Sequence, residues 1–493
     1  MKKLLIIPCL VLGACAQTPT ADLAIRGVTI VDVTDGSLSS GQTVLVEGDR
    51  IVAVGPVAEL AVPDDAEVID AEGQYLIPGL WDMHVHEVND RDKPAPWHFH
   101  APAQDAADPR DIYLPIRLAF GVTGVREMYG GLASIEQRKR IERGEMLGPH
   151  IVIGSPLLDG PQPMFPDSAI IRIDGPEHAR EVASNLYAQG FDFLKPYSFL
   201  SAESYRALLE RAEELGMDVA GEIPLSVSAW EAAELGQRTV EHLTGMEFAC
   251  SSREDELRER YVARIQSLDA DSPFEERLGI WARSESEPFE SLDPGRCDAL
   301  FKHLAAHNTW VVPTLTIQRG IVYYDDPRLA NDPNLRYVGL GPEDLKADAD
   351  RMADLGVATN DPERRGRKHY DYRASVIDEL HAAGVGILAG TDLGGAYNLH
   401  YELELYVESG LSPLDALRTA TVNPARYLGR EDDLGSITPG KIADLVLLSA
   451  NPLEDIANTQ KIETVVFQGH LLDRDQLDRM LEQLATDHEN WPK

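Results

Sequence analysis

His84 and His86 stand two residues apart at the end of the apolar run 81–86, within Pro78-Gly-Leu-Trp-Asp-Met-His84-Val-His86. On a strand, alternate side chains face the same way, so the two imidazoles can close on one metal ion. Four more groups able to hold a metal or move a proton end similar runs. They are Lys195 between Leu194 and Pro196, Glu222 in Ala-Gly-Glu-Ile-Pro, His242 in Val-Glu-His-Leu, and Asp392 in Ala-Gly-Thr-Asp. Each alone has a plain structural reading: a chance histidine pair on a strand, a solvated Glu, a satisfied core His, a helix-capping Asp. Lys195 is harder to explain as a surface charge. The six gain meaning only if one architecture brings them to a point, where they would make a metal-binding site.

The rest of the chain supplies such an architecture. Apolar strand-like runs at 81–86, 121–128, 150–157, 191–197, 218–223, 238–242, 309–315 and 384–392 alternate with segments of helical period. In the segment 202–215, for example, Leu208, Leu209, Ala212 and Leu215 share one side. Eight βα units predict a (β/α)₈ TIM barrel over 79–433, whose catalytic groups project from the C-terminal ends of its strands. An open doubly wound sheet is the alternative, but the chain carries no Gly-rich phosphate loop. A charged helical insertion at about 251–296 falls between runs six and seven, on the active-site side. Residues 22–78 and 434–475 are rich in short β segments, with Gly48-Asp49 reading as a hairpin turn. They predict a small β-sandwich-like domain assembled from both chain ends, followed by a C-terminal helix or tail over 476–493.

Composition narrows the function. The 493 residues are 43% hydrophobic, and 82 acidic against 45 basic residues give a formal charge of −37. A surface that acidic repels phosphate backbones, which argues against nucleic acid as a partner. After the first residues, no uncharged apolar run is long enough to span a bilayer. Lys2 and Lys3 precede an apolar stretch of signal-peptide length at 4–12, and Leu12-Gly-Ala-Cys15 follows. This order resembles the bacterial lipoprotein lipobox. The resemblance implies a signal peptide over 1–14, acylation of Cys15, a lipidated linker over 15–21, and anchorage to a bacterial membrane facing the periplasm or exterior. Cys250 and Cys297 then remain, free to pair in an oxidising compartment, and their spacing fits no zinc finger.

Further motifs appear in order along the chain: Gly121-Val-Thr-Gly-Val-Arg126, Gly148-Pro149, Pro313-Thr-Leu315, Gly390-Thr-Asp392, the segment 417–428 and the segment 435–446. With the strand-end residues they resemble the amidohydrolase superfamily, specifically its imidazolonepropionase-like group with prolidase-type enzymes. The resemblance implies that His84, His86 and Asp392 hold one divalent metal, and that His242 and a strand-five histidine hold a second. Lys195 would bridge the two as a carbamate, and Asp392 would move the proton of a metal-activated water. Zn²⁺, as one or two ions, is the expected cofactor, with Mn²⁺ an alternative.

The sequence departs from that pattern at Glu222, where the group has histidine. Either Glu222 is a substituted ligand, or the site holds one metal and Glu222 serves as an acid, a base or a partner of Lys195. His400 and Arg126 are candidate substrate contacts. His400 reads equally as a helix position without a catalytic role, and Arg126 as the partner of an acid. Trp97, His98 and His100 are candidate pocket walls, and His303 and His307 read as solvent-facing near a helix C-terminus. The expected activity is hydrolysis of a small amide, peptide, dipeptide or cyclic amide. The rivals are an ester or lactone hydrolase, a deaminase, or a binding lipoprotein with impaired catalysis. A homo-oligomer stays open.

Overall fold

The computed structural model describes residues 20–86, 109–166, 170–323, 326–337, 365–392 and 395–490. The leader with Cys15, and Trp97, His98 and His100, lie outside the described residues. The first β-rich segment forms β1 (Leu23–Val31), β2 (Leu38–Glu47), β3 (Arg50–Pro56), β4 (Glu67–Asp70) and β5 (Tyr75–Pro78). Gly48, at φ 56°, and Asp49 make the two-residue turn that sets Glu47 opposite Arg50. That left-handed conformation carries no steric cost for glycine.

The seven regular barrel strands are β6 (Leu80–Val85), β7 (Val122–Glu127), β8 (His150–Asp159), β10 (Phe193–Pro196), β11 (Asp218–Gly221), β12 (Thr239–Glu241) and β13 (Trp310–Val312), and a short β9 (Ile171–Arg172) lies off their path. They pair in the order β13-β12-β11-β10-β8-β7-β6, with the short β9 beside β8, and every pairing is parallel. The eighth run does not make a regular ladder, yet it fills the seam. Val311 N–H donates to Gly386 O and Leu388 N–H to Val311 O, while Met83 N–H donates to Ala389 O on the other side. Asp392 N–H then reaches His84 O at 2.8 Å. The ladder breaks because the backbone turns at Asp392, with φ 56°, and because Ala389 N–H bonds Thr419 O. The eight staves thus nearly close, with strand ends 84–86 and 390–392 side by side.

Between the staves run helices that bury one apolar side. The helix Ala202–Leu215 buries Leu208, Leu209 and Ala212 and leaves Leu215 half-buried. Ser201 caps it by accepting from Ser204 N–H, and Gly216 ends it at φ 66°. At the far end, β14 (Leu445–Leu448), β15 (Ile462–Phe467) and β16 (His470–Asp473) return to the first sheet. The order is β16-β15-β14-β5-β1-β2-β3, with β4 on β1, and β14 lies antiparallel to β5. Two chain ends more than 350 residues apart thereby share one sheet. Among the described residues no helix is long and apolar enough to cross a membrane.

The insertion contributes the helices Glu254–Gln266 and Phe274–Ser286. Leu257, Tyr261, Leu278 and Ile280 pack with Tyr129, Tyr197, Phe199, Leu225 and Phe248, which follow β7, β10, β11 and β12. It therefore sits over the C-terminal ends of the strands. Its two ends meet where Cys250 and Cys297 form a disulfide, with Cα atoms 4.7 Å apart. Asp293 N–H also donates to Cys250 O there. The bridge closes a sequence separation of 47, for which loop entropy alone gives up to about 4 kcal/mol. Cys297→Ser, or reduction of the wild type, should lower the denaturation midpoint and make the insertion the first segment cut in limited proteolysis. An unchanged midpoint and cleavage pattern would show that the bridge carries no stability.

Candidate metal centre

The end of β6 turns His84 and His86 to the same side, with ring centroids 5.2 Å apart. Asp392, from across the barrel seam, puts Oδ1 2.8 Å from His86 Nε2 and 3.4 Å from His84 Nε2. One ligand atom from each of the three lies within 4.8 Å of the others. His84 is fully buried, and its Nδ1 lies 2.7 Å from Glu241 Oε2. A carboxylate only accepts, so Nδ1 carries the proton and Nε2 presents a lone pair. Burial, together with Lys195 and His242 nearby, holds this imidazole's pKa well below its ordinary value, so the ring is neutral. His84 Nε2 is buried without a hydrogen bond and faces Asp392 Oδ1. Two buried acceptors confronting each other is an arrangement that a cation resolves. A nitrogen–nitrogen–oxygen donor set suits Zn²⁺ or Mn²⁺.

Beside this trio stand the other three strand-end residues. Lys195 ends β10 and is 1% exposed. Burial pulls its ammonium pKa down, opposed by the carboxylates of Glu222, Asp392 and Glu241. Glu222 follows β11, and its Oε2 accepts from Ser198 Oγ at 2.6 Å. Burial raises its pKa to about 7, against the pull of Lys195. His242 follows β12, with Nε2 3.9 Å from Glu222 Oε1 and Nδ1 3.8 Å from Asp392 Oδ2. Its ring centroid is 4.6 Å from that of His84, and burial pushes its pKa down to about 3. All six expected residues therefore converge, and buried histidines that stay neutral suit metal ligation.

Two glycines make the convergence sterically feasible. A Cβ at Gly221 would come within 2.8 Å of Pro196 O and 3.2 Å of Lys195 Cγ. One at Gly390 would come within 2.7 Å of His84 Cβ and 2.9 Å of His84 N. Backbone strain gathers here as well. Of the six non-glycine residues with positive φ among those described, His242 (59°), Leu243 (60°), Thr314 (50°) and Asp392 (56°) are all at strand ends of the site. Such conformations persist where surrounding structure over-determines them, and they cluster at functional sites.

Sequence reasoning missed the residues that hold these groups in place. Glu241 receives His84 Nδ1–H and Arg126 Nη2–H, the latter at 2.8 Å. Its only sequence signal is an acid on an inward-facing strand beside His242. Asp82 accepts from Thr391 N–H at 3.0 Å, Thr391 Oγ1 at 2.8 Å and Arg117 Nη1 at 3.0 Å. It thus fixes the residue before Asp392 against β6.

The two candidate substrate contacts are both engaged by groups of the fold. Arg126 is fully buried and takes its alternative role as the partner of an acid. Besides Glu241 it donates to Met83 O at 2.7 Å, Thr239 Oγ1 at 3.2 Å and Tyr427 OH at 3.2 Å. His400 is buried too, with Nδ1 3.0 Å from Thr459 Oγ1 and Nε2 3.0 Å from Phe120 O, so both ring nitrogens are engaged within the fold. His303 and His307 lie outside the barrel, bonded to the carbonyls of Trp230 and His303. A further group, Glu247, Glu285 and His369, already encloses a cation of the protein. Arg373 donates to Glu247 Oε1 at 2.5 Å and to Glu285.

Removing the guanidinium from Glu241 would leave a buried charge without its partner, which costs about 3–5 kcal/mol. Arg126→Met should therefore lose that much stability in chemical denaturation. A stable variant whose KM alone rises would restore Arg126 to substrate binding.

Comparison with known proteins agrees with this architecture. A dihydroorotase of Pelotomaculum thermopropionicum is 25% identical over 461 residues, covering 91% of this chain and 95% of that protein. Adenine deaminase 1 of Jannaschia sp. is 35% identical over 124 residues, 24% of this chain and 20% of the deaminase. The chain thus matches only about a fifth of that relative's length. Among solved structures, a Xaa-Pro dipeptidase with methionine bound in its active site superposes with a TM-score of 0.64. It shares 20% identity and covers 92% of this chain and 99% of its own. A bottromycin amidohydrolase superposes with a TM-score of 0.67 at 20% identity, over 94% and 90%. At that identity the likeness speaks for the fold. The amidohydrolase family model matches residues 75–472, the whole barrel and the part of the composite sheet from β5 onward, and the chain belongs to that family.

Proposed function

We propose that this protein is an exported, lipid-anchored, metal-dependent hydrolase that cleaves a C–N bond in a small amide, peptide or cyclic amide. The observation that carries the reading is the meeting of His84, His86 and Asp392 around a point to which His84 Nε2 presents an unprotonated nitrogen. His84, His86 and Asp392 would hold one divalent ion, with Lys195, Glu222 and His242 completing a second position. A bound cation supplies Lewis acidity, lowering the pKa of water and polarising a carbonyl.

The chain's own groups supply the rest. Burial pulls the Lys195 pKa down and so favours the neutral amine, which would add CO₂ and release a proton to give a carbamate with two oxygen donors. Asp392, at the edge of both positions, takes the proton of the attacking water and delivers it to the leaving nitrogen. Glu222 supplies an anionic oxygen where the family resemblance implies an imidazole. That extra negative charge favours a harder ion such as Mn²⁺ over Zn²⁺.

Deamination is the second reading, favoured by the 35% identity with an adenine deaminase. Both readings can be tested on one preparation. A panel of dipeptides, N-acyl amino acids and cyclic amides, run beside adenine, should give chelator-sensitive release of an amine or acid without free ammonia from adenine. Ammonia from adenine alone would replace hydrolysis of amides with deamination. No turnover together with no retained metal would leave a binding protein.

The export reading rests on the lipobox-like segment ending at Cys15 and is supported by the Cys250–Cys297 disulfide, a feature of oxidising compartments. Cys15→Ser should release the protein from membranes or block its processing. Membrane association that survives the substitution would rule out acylation at Cys15.

The assignment of Glu222 has its own test. Glu222→Gln keeps the shape but loses the charge, and it should lower the metal content toward one ion per chain. Glu222→His should keep two and shift preference toward zinc. A wild-type ratio of one that Glu222→Gln leaves unchanged would make Glu222 an acid, a base or a partner of Lys195. Lys195→Ala should lose metal and activity together, with partial rescue by short-chain carboxylates. Full retention of both would remove the bridging role.

A further inference from the structure

Thr314 is a β-branched residue in the left-handed region, at φ 50° and ψ 49°. That conformation is a genuine outlier for such a side chain and needs something to hold it. It is fully buried immediately after β13, in the turn that opens the helix Leu315–Val322. The turn is held by Glu402, fully buried on the helix Asn398–Glu408. Glu402 accepts from Leu315 N–H at 2.8 Å, Thr316 N–H at 2.7 Å and Thr316 Oγ1 at 2.5 Å. Gln318 Nε2 donates back to Pro313 O at 2.6 Å. The strained conformation aims one group into the barrel mouth: Thr314 Oγ1 lies 2.7 Å from His242 Nδ1.

We infer that Thr314 is the positioning residue for His242, its hydroxyl oxygen accepting Nδ1–H so that the ring is fixed with Nε2 directed toward Glu222. The inference rests on the reading of His242 as a metal ligand. It repeats, with a neutral oxygen, what Glu241 does for His84: each ligand's Nδ1–H is engaged by the protein and each Nε2 is left to the centre. His242 needs the device because it lies beyond the end of β12, at φ 59° itself, and its one ladder bond, N–H to Val312 O at 2.8 Å, fixes the backbone and leaves the ring to be oriented by other groups. The difference in acceptor also matters. A carboxylate behind His84 makes that imidazole the stronger donor, while a hydroxyl behind His242 leaves it weaker and adds no charge beside Glu222.

The test compares the full chain with Thr314→Val, Thr314→Ser and His242→Ala. Metal-free protein is titrated with Zn²⁺ and with Mn²⁺, and the imidazole tautomers are read by ¹⁵N NMR. Valine keeps the shape and branching of threonine but cannot accept a proton. Thr314→Val should weaken the His242-dependent metal affinity by about 10–100-fold and remove the fixed Nδ1–H signal of His242, while that of His84 persists. Thr314→Ser should restore both. Thr314→Val binding metal like wild type while His242→Ala binds it weakly would overturn the positioning role alone. Equal loss in the serine and valine variants would also overturn it, because backbone conformation and not the hydroxyl would be responsible. If His242→Ala itself binds metal like wild type, the ligand reading of His242 falls and the inference falls with it.

Discussion

Everything around the barrel mouth depends on a confrontation between two buried acceptors, His84 Nε2 and Asp392 Oδ1, 3.4 Å apart. Ordinary packing avoids such a pair, because neither atom has a proton to offer and both atoms are buried. Here the protein enforces it. Glu241 takes the His84 proton on the other ring nitrogen, and burial keeps the ring from accepting a second. The arrangement is unfavourable for an empty apoprotein and favourable around a cation, so binding energy and site geometry are linked.

The same confrontation explains how the barrel closes. His84 and Asp392 stand on opposite sides of the seam between β6 and the irregular eighth stave, and Asp82 fastens the two through Thr391. Gly390 allows the backbones to approach, and Asp392 accepts a strained φ to turn its carboxylate inward. A regular strand would have directed Asp392 along the ladder. The sacrifice of regular pairing at 384–392 is thus a local consequence of the site. Strain at His242, Leu243 and Thr314 places the neighbouring strand ends under the same constraint. Natural sequences keep local preference and fold consistent except where function demands otherwise.

Much of this was legible in the sequence because strand alternation and helical period carry through the barrel. The HxH spacing, the Lys195 flanked by Leu194 and Pro196, and the ends of runs five, six and eight all lead to residues that the fold brings together. The composite sheet was legible from β-rich segments at both chain ends. What escaped were residues whose role is to satisfy other side chains. Glu241 and Asp82 look like ordinary acids until their partners are known, and those partners are 157 and 309 residues away. Arg126 stayed open between two roles for the complementary reason, since a guanidinium on an inward-facing strand can serve a substrate or a buried acid, and its buried partners appear only once the chain is packed. His400 gave no periodic signal to separate a helix-start position from a pocket position. Its two bonds, to Phe120 and Thr459, join elements distant in sequence.

A divalent cation would resolve the contact between His84 and Asp392. The most direct test is anomalous diffraction at the Zn or Mn absorption edge, from crystals of the protein purified without chelator. An anomalous peak bonded to His84 Nε2, His86 Nε2 and an oxygen of Asp392 is expected, with His84 Nδ1 still on Glu241. A centre without anomalous density, in which His84 carries a proton on Nε2 and donates it to Asp392, would contradict that coordination.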